Sequence, residues 1–208
     1  MWKIFFGSIN RWQVTSLFKK MGYNQELSEI FANLCCLDNC LPQGAPTSPY
    51  LSNIFAREID VRLSKYLWKR KLYYTRYSDD ITISGNILNE QIPQIMSFCK
   101  YLLSNYGLRL NDEKTKILRQ HQKQYVTGAV VNEKVSAEKK IKKELRQQMY
   151  YIKKFGLESH MNHLQIKQQN YLYHLMGKIC WILTLEKNNK EFRQYNECLK
   201  ELLYNQKK

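Results

Sequence analysis

No apolar run in the 208-residue sequence approaches the roughly 20 residues that a membrane-spanning helix needs. The opening "MWKIFFGSIN" is too short and too weakly apolar for a secretory signal, so a cytoplasmic protein is expected. The 6 cysteines (35, 36, 40, 99, 180, 198) follow no framework spacing, which argues against a disulfide scaffold. "CCLDNC" lacks a second Cys/His pair at ligand distance, and these thiols read as small buried hydrophobes in a reducing compartment. The 4 histidines (121, 160, 163, 174) show no ligand spacing either, and His160 and His163 are expected on the surface or facing RNA. Acid is scarce: 18 Asp+Glu against 33 Lys+Arg, no acid before Glu26, and no Asp after residue 132. The resulting net charge of +15 and pI near 9.5 point to a polyanionic partner, nucleic acid before an anionic membrane surface. A hydrophobic content of 44% with 13% aromatics argues for a folded chain with a real core.

Residues 12 to 37 read as helical, with Leu17, Phe18, Met21, Leu27, Ile30, Phe31 and Leu34 recurring near the 3.6 period. "LPQGAPTSP" (41–49) carries three prolines and a glycine and must be a loop. Pro46 or Pro49 can open the helix that follows, which runs through Leu51, Ile54, Ile59 and Leu63 to about Leu67. "KLYYTRY" and "ITIS" predict a β-hairpin, and residues 88 to 106 return to helical periodicity until Gly107. "LRLN", "TKIL" and "QYVTGAVV" look like short strands. From Ser136, a plausible N-cap, everything reads as helix. Ile141, Leu145, Met149 and Ile152 form one apolar stripe, with Lys139, Lys140, Lys142, Lys143 and Arg146 on the other faces and Gly156 at the C-terminal cap. Further helices are expected over about 168–186 and 190–204. The expected fold class is α+β, an antiparallel sheet with packed helices followed by a basic helical bundle, divided near 132–137.

"YYTRYSDDITIS" (73–84) sets Asp79 beside Asp80 between two strand-like runs. Adjacent carboxylates repel, and hard divalent cations, which prefer oxygen ligands, offset that repulsion. Two such ions about 4 Å apart clamp the attacking and leaving oxygens of a phosphoryl transfer. The plain alternative is an exposed acidic turn.

"YSDD" (77–80) resembles the Tyr-x-Asp-Asp box of reverse transcriptases. "LPQGAPTSPYLSNI" (41–54) is similar to that family's Pro-Gln-Gly loop and the helix after it, and "GLRLNDEKTKI" (107–117) to its following Gly-Leu…Asn-x-x-Lys-Thr segment. The three stand in family order at family-like spacing. Val126 to Gly128 in "QYVTGAVV" is similar to bacterial retron reverse transcriptases, and "GKICWILTLEKNN" (177–189) more loosely to part of a retron thumb. The resemblance implies a polymerase palm over residues 1–134 and an all-helical, RNA- and template-primer-binding thumb over 135–208.

It also implies roles. Asp79 and Asp80 are the metal ligands for two Mg2+ ions, with Tyr77 beneath the primer end. Gln43 and Gly44 sit at the incoming nucleotide, the glycine allowing close backbone approach. Lys114 lies near the leaving pyrophosphate as a cation and proton donor, against the alternative of a solvated surface lysine. Arg76 is either a template-phosphate contact or an ion-pair partner. Phe6 in "FFGSI" (5–9) crowds a ribose 2′-OH, or is simply a core phenylalanine. Lys139, Lys140, Lys142, Lys143 and Arg146 grip RNA, and Tyr150, Tyr151 and Trp181 either stack on bases or pack between helices.

Counting back from "FF", the family's first catalytic Asp falls on Met1. The fingers that precede that motif in the family are not present, so an N-terminally truncated enzyme is expected, one that binds metal poorly and extends no primer by itself. Implied partners are a structured RNA template and RNA–DNA hybrid, deoxynucleotides, an upstream polypeptide supplying fingers and the first Asp, and a retron effector in antiviral defence; no membrane is implied. The alternative is a catalytically inactive relative acting only as an RNA-binding module.

Overall fold

The structure, a computed structural model, describes residues 5–165 and 170–205. It is a mixed α and β fold with small antiparallel sheets, and the chain divides into two compact units between Lys116 and Ile117.

In the first unit a 3-10 turn at Phe6–Ser8 leads into α1 (Arg11–Lys20) and α2 (Gln25–Cys35). The single helix expected over 12–37 is therefore two. Gly22 takes a φ of 102°, outside the right-handed helical region, and Asn24 starts α2 by accepting the Leu27 N–H on its side-chain oxygen at 2.9 Å. α1 begins at Asn10, whose backbone N–H donates to Gln13 Oε1 at 2.8 Å in a capping box. The break re-aims the second half of the stripe. Leu27, Ile30 and Leu34 are exposed, while Ser28 and Ala32 are the buried residues of α2.

α3 (Ser48–Trp68) is the spine of this unit. Pro49 stands in its first turn, where the missing N–H costs nothing, and buried Ser48 donates its hydroxyl to the Pro42 carbonyl at 2.7 Å. Leu51, Phe55, Ala56, Ile59, Leu63 and Leu67 form its buried face. α4 (Gln91–Ser104) packs on the same core through Ile95, Cys99, Leu102 and Leu103, with Tyr66 and Phe98 stacked at 3.8 Å between ring centroids. β1 (Tyr73–Tyr77) and β2 (Asp80–Ser84) form the expected hairpin in the register Tyr73↔Ser84 to Tyr77↔Asp80. Residues 108–118 carry none of the strands formed by the described residues. Instead Asn111 Oδ1 accepts the Lys114 N–H and the Asn111 carbonyl accepts the Thr115 hydroxyl, the side-chain–backbone competition that favours turns.

The second unit opens on a minimal hairpin, β3 (Tyr125–Val126) and β4 (Ala129–Val130). Its two turn residues, Thr127 and Gly128, both have positive φ, 46° and 86°, as a type I′ turn demands. Ser136, the expected N-cap, is held extended by exchanging both backbone hydrogen bonds with Val130, so α5 (Lys139–Phe155) starts three residues later with Glu138 as its cap. Gly156 ends it, as expected. A short α6 (Leu157–His163) precedes α7 (Tyr171–Leu185) and α8 (Lys190–Asn205). The first positions of the helix expected from 168 lie outside the described residues. Leu145, Met149, Ile152, Leu172, Leu175, Ile179, Ile182, Phe192 and Leu199 are buried together, and Trp181 packs against them.

Among the described residues no helix is long and apolar enough to cross a membrane, and no group of three His, Cys, Asp or Glu gathers to hold a metal. Contrary to expectation, His160 is buried, 5% exposed, with Nε2 at 2.9 Å from the Tyr171 hydroxyl and its ring stacked near Tyr151. Burial, and then the nearby charge of His163, hold its imidazole below the ordinary histidine range. The unfolded chain therefore binds a proton that the native one refuses. His160 contributes stability that is complete above about pH 6.5 and drains as pH falls toward its depressed native value, by about 1.4 kcal/mol per unit of depression. Thermal unfolding followed from pH 7.5 to pH 5 is expected to show a falling midpoint, and His160→Gln, which still bonds Tyr171 but does not titrate, is expected to flatten that slope. An unchanged slope in the variant would assign the pH dependence elsewhere.

Candidate active site at the β1–β2 hairpin

Alternation along β1 gives the hairpin two faces. Tyr74 and Arg76 point toward α3, together with Ile81 and Ile83 opposite them, and Tyr74, Ile81 and Ile83 pack on the core. Tyr73, Thr75 and Tyr77 point away and are exposed, and Asp80, paired with Tyr77, shares that outer face. Ser78 and Asp79 make the two-residue tip. Ser78 has a φ of 52°, the left-handed conformation that primed hairpin turns need at their first central position.

Arg76 does not reach the acids beside it. Its Nε and Nη2 grip both carboxylate oxygens of Asp60 on α3 at 2.8 Å, a fork-to-fork geometry. Nη1 donates to Asn53 Oδ1 at 2.9 Å and to the Ser78 carbonyl at 2.9 Å. Tyr74 adds its hydroxyl to Asp60 Oδ1 at 2.7 Å. Hydrogen bonding to Asp60 raises the Arg76 pKa further, and burial with the same carboxylate pushes the Tyr74 phenol well above its usual range. With its side chain 8% exposed, Arg76 takes the ion-pair role of the two that the sequence left open. Asp60, Asn53 and Tyr74 escaped the sequence reading, though their spacing offered a signal. Asn53 and Asp60 stand seven apart, two turns on one helix face, and Tyr74 and Arg76 two apart on one strand face.

These bonds orient the hairpin. Tyr74 meets α3 at Asp60 and Arg76 reaches back to Asn53, so the strand runs toward the N-terminal end of α3. Asn53 stands five residues, about 7.5 Å, from Ser48 where the helix begins. The loop holding Gln43 and Gly44 enters there. Both are exposed, and Gly44 has a φ of 92° with open space where a side chain would start, so glycine is needed there for its backbone and not for room.

Asp79 and Asp80 are half-buried, and among the described residues neither carboxylate is in an ion pair with a lysine or arginine. Lys114 is exposed in its turn and forms no ion pair among the described residues, whereas neighbouring Asp112 is bound by Lys100 at 2.8 Å. Phe6 is half-buried against the first core, its ring 5.3 Å from that of Phe5. Met1, where the sequence places the family's first Asp, lies outside the described residues. In the second unit Lys139, Lys140 and Lys143 are exposed, but Lys142 pairs with Glu186 at 2.7 Å and Arg146 grips both oxygens of Glu191 at 2.7 Å. Glu186 also accepts the Ala137 N–H; burial pushes its pKa up, and the bonds from Lys142, Asn189 and Ala137 together bring it below the ordinary range. Tyr150 and Tyr151 are exposed beside Lys153 and Lys154 on α5.

Two adjacent carboxylates without a protein cation are a hard-oxygen donor set. Magnesium commonly takes one or two carboxylates and completes its octahedron with substrate phosphates and water, so the pair fits that ion. The family described as reverse transcriptase (RNA-dependent DNA polymerase) matches residues 33–142, a stretch that includes Gln43, Gly44, the hairpin and Lys114. Among similar proteins, the retron Ec86 reverse transcriptase of Escherichia coli is 36% identical over 149 residues, 71% of this chain and 46% of the relative. The retron Se72 reverse transcriptase of Salmonella heidelberg is 31% identical over 156 residues (71% and 40%), and the retron Mx65 reverse transcriptase of Myxococcus xanthus 28% over 181 (78% and 42%). The matched part is thus less than half the length of each of these relatives. With the acids, the loop and the lysine all inside the family's match, the chain belongs to the reverse transcriptases, in their bacterial retron-type branch.

Proposed function

We propose that the hairpin carries the metal-binding acids of an RNA-directed DNA polymerase that copies a structured RNA. The carrying observation is a hairpin tip with two half-buried carboxylates that pair with no lysine or arginine among the described residues, inside a chain of the reverse transcriptase family. Bound Mg2+ supplies charge neutralisation at the triphosphate and lowers the pKa of the primer hydroxyl. Asp79 and Asp80 hold the ions, and exposed Tyr77, on the same face as Asp80, offers its ring to the primer end. Gln43 and Gly44, in the loop before α3, receive the incoming deoxynucleotide, the glutamine amide donating and accepting hydrogen bonds. Lys114 serves as cation and proton donor to the leaving pyrophosphate, and Phe6 screens the ribose 2′-OH. Residues 1–134 are read as palm and 135–208 as thumb, with the reaction in the cytoplasm.

Primer extension on an RNA template with Mg2+ tests the reading, run with this chain and with a polypeptide added that bears the family's first motif. Synthesis lowered about a thousandfold or more by Asp79→Ala supports it, since such acids carry several kcal/mol of transition-state stabilisation. Synthesis indifferent to Asp79→Ala removes that residue from the metal site.

RNA binding by the second unit is proposed to run through the free lysines Lys139, Lys140 and Lys143, with Lys142 and Arg146 already committed to Glu186 and Glu191. Changing the three to Gln is expected to reduce the slope of log affinity against log salt by about 2 to 3. Arg146→Gln is expected to lower the unfolding midpoint and leave the slope at the parent value, where loss of a phosphate contact would reduce it by about 0.7 to 0.9. The reverse pattern would mean that Arg146 leaves Glu191 for phosphate.

A further inference from the structure

We propose that Arg76 is a positioning residue for the tip carboxylates, and that Asp60 both aims its guanidinium and keeps it off those carboxylates. The inference rests on the reading of Asp79 and Asp80 as metal ligands.

An arginine three or four residues from an acidic pair is placed to pair with it and to compete with any metal there. Here every part of the fork is engaged elsewhere: both Asp60 oxygens, Asn53 Oδ1 and the Ser78 carbonyl, with Tyr74 completing the Asp60 cage. The bond to Ser78 matters most. Ser78 holds a φ of 52°, a conformation that non-glycine residues avoid, and its carbonyl begins the peptide that ends at Asp79. A donor fixed on α3 and aimed at that carbonyl sets the orientation of the tip peptide, and therefore the direction in which Asp79 and Asp80 leave the backbone. Packing alone does not require this. A buried ion pair is often replaceable by apolar residues of similar size without loss of stability, so what this partly buried pair supplies beyond cohesion is direction. Lysine cannot substitute, because a single ammonium on a flexible stem cannot span a carboxylate, an amide oxygen and a backbone carbonyl in one plane. Removing the negative charge at Asp60 has a second consequence. It frees a guanidinium within reach of Ser78 to swing onto the tip acids, replacing the metal's electrostatic role with an internal one.

The test uses the whole chain and two readouts: amide hydrogen exchange at Ser78, Asp79 and Asp80 without metal, and Mn2+-induced broadening of the same amides. In Arg76→Lys the tip amides are expected to exchange about tenfold faster, with α3 and α4 amides and the unfolding midpoint close to those of the parent. Mn2+ affinity at the tip is expected to fall about fivefold or more in Arg76→Lys and further in Asp60→Asn, where the freed guanidinium competes. Asn53→Ala, which removes one exposed acceptor, gives the same sign at smaller size and serves if the other two fold poorly. Tip exchange and Mn2+ response equal to the parent in Arg76→Lys and Asp60→Asn overturn the proposal. Broadening that survives Asp79→Asn sinks the metal reading instead, and the exchange data then still decide whether Arg76 fixes the tip.

Discussion

The hydrogen bonds that Arg76 donates to Asp60, Asn53 and Ser78 tie the β1–β2 tip to two points on α3, its middle and its first turns. A two-stranded hairpin is marginal by itself in water and borrows its stability from what it packs on. Ile81 and Ile83 supply that packing, but apolar contact tolerates sliding along a helix face. A bidentate carboxylate grip does not. It also fixes register, since a slip of one residue would turn Tyr74 and Arg76 outward and strand Asp60 without its partners. The acids at the tip therefore inherit their place from a polar anchor set back on the strand.

Much of this was legible in the sequence because the signals were local. Alternation in "YYTRYSDDITIS" predicts the hairpin, and the structure pairs Tyr73 with Ser84 through Tyr77 with Asp80. The stripe from Leu51 to Leu67 predicts α3, and of the two prolines that could open it, Pro49 is the one in its first turn. Other features turned on residues elsewhere in the chain. Ser136 looks like an N-cap until Val130 takes its backbone into a β-bridge. His160 looks like a surface residue until Tyr171 covers it. The split at Gly22 left Leu27, Ile30 and Leu34 periodic but facing out, because periodicity reports a stripe and not what lies against it. Asp60 was invisible for the same reason, its meaning supplied by a strand thirteen or more residues on.

The second unit makes the parallel point for charge. Five cations near the start of α5 read alike in sequence, yet Glu186 and Glu191, more than forty residues later, claim Lys142 and Arg146. These pairs tie α5 to the end of α7 and the first turn of α8, and they work as structure because each acid carries further bonds: Ala137 and Asn189 on Glu186, Tyr195 on Glu191. The net charge of +15 already subtracts these acids but does not say which cations remain for a polyanion; those are the ones without an acid folded against them.

That distinction bears on the acids as well. Half-buried carboxylates on adjacent residues repel each other, and a free arginine three positions away would be the simplest internal remedy. The fold forgoes it. Asp60 binds the Arg76 guanidinium in a partly buried ion pair, and Arg76 in turn donates to the Ser78 carbonyl of the turn that carries the acids. A tip free to relax would spread them apart and lower the repulsion unaided. Anchored, it holds the two acids on adjacent positions of one turn, where the proposed metal would meet both. A divalent cation offsets their repulsion most effectively because it brings two positive charges to one point between hard oxygen donors, and its remaining coordination positions stay open to the phosphates of a substrate. On this reasoning the ion pair behind the hairpin and the proposed metal in front of it are one device, the first holding the turn whose acids the second meets.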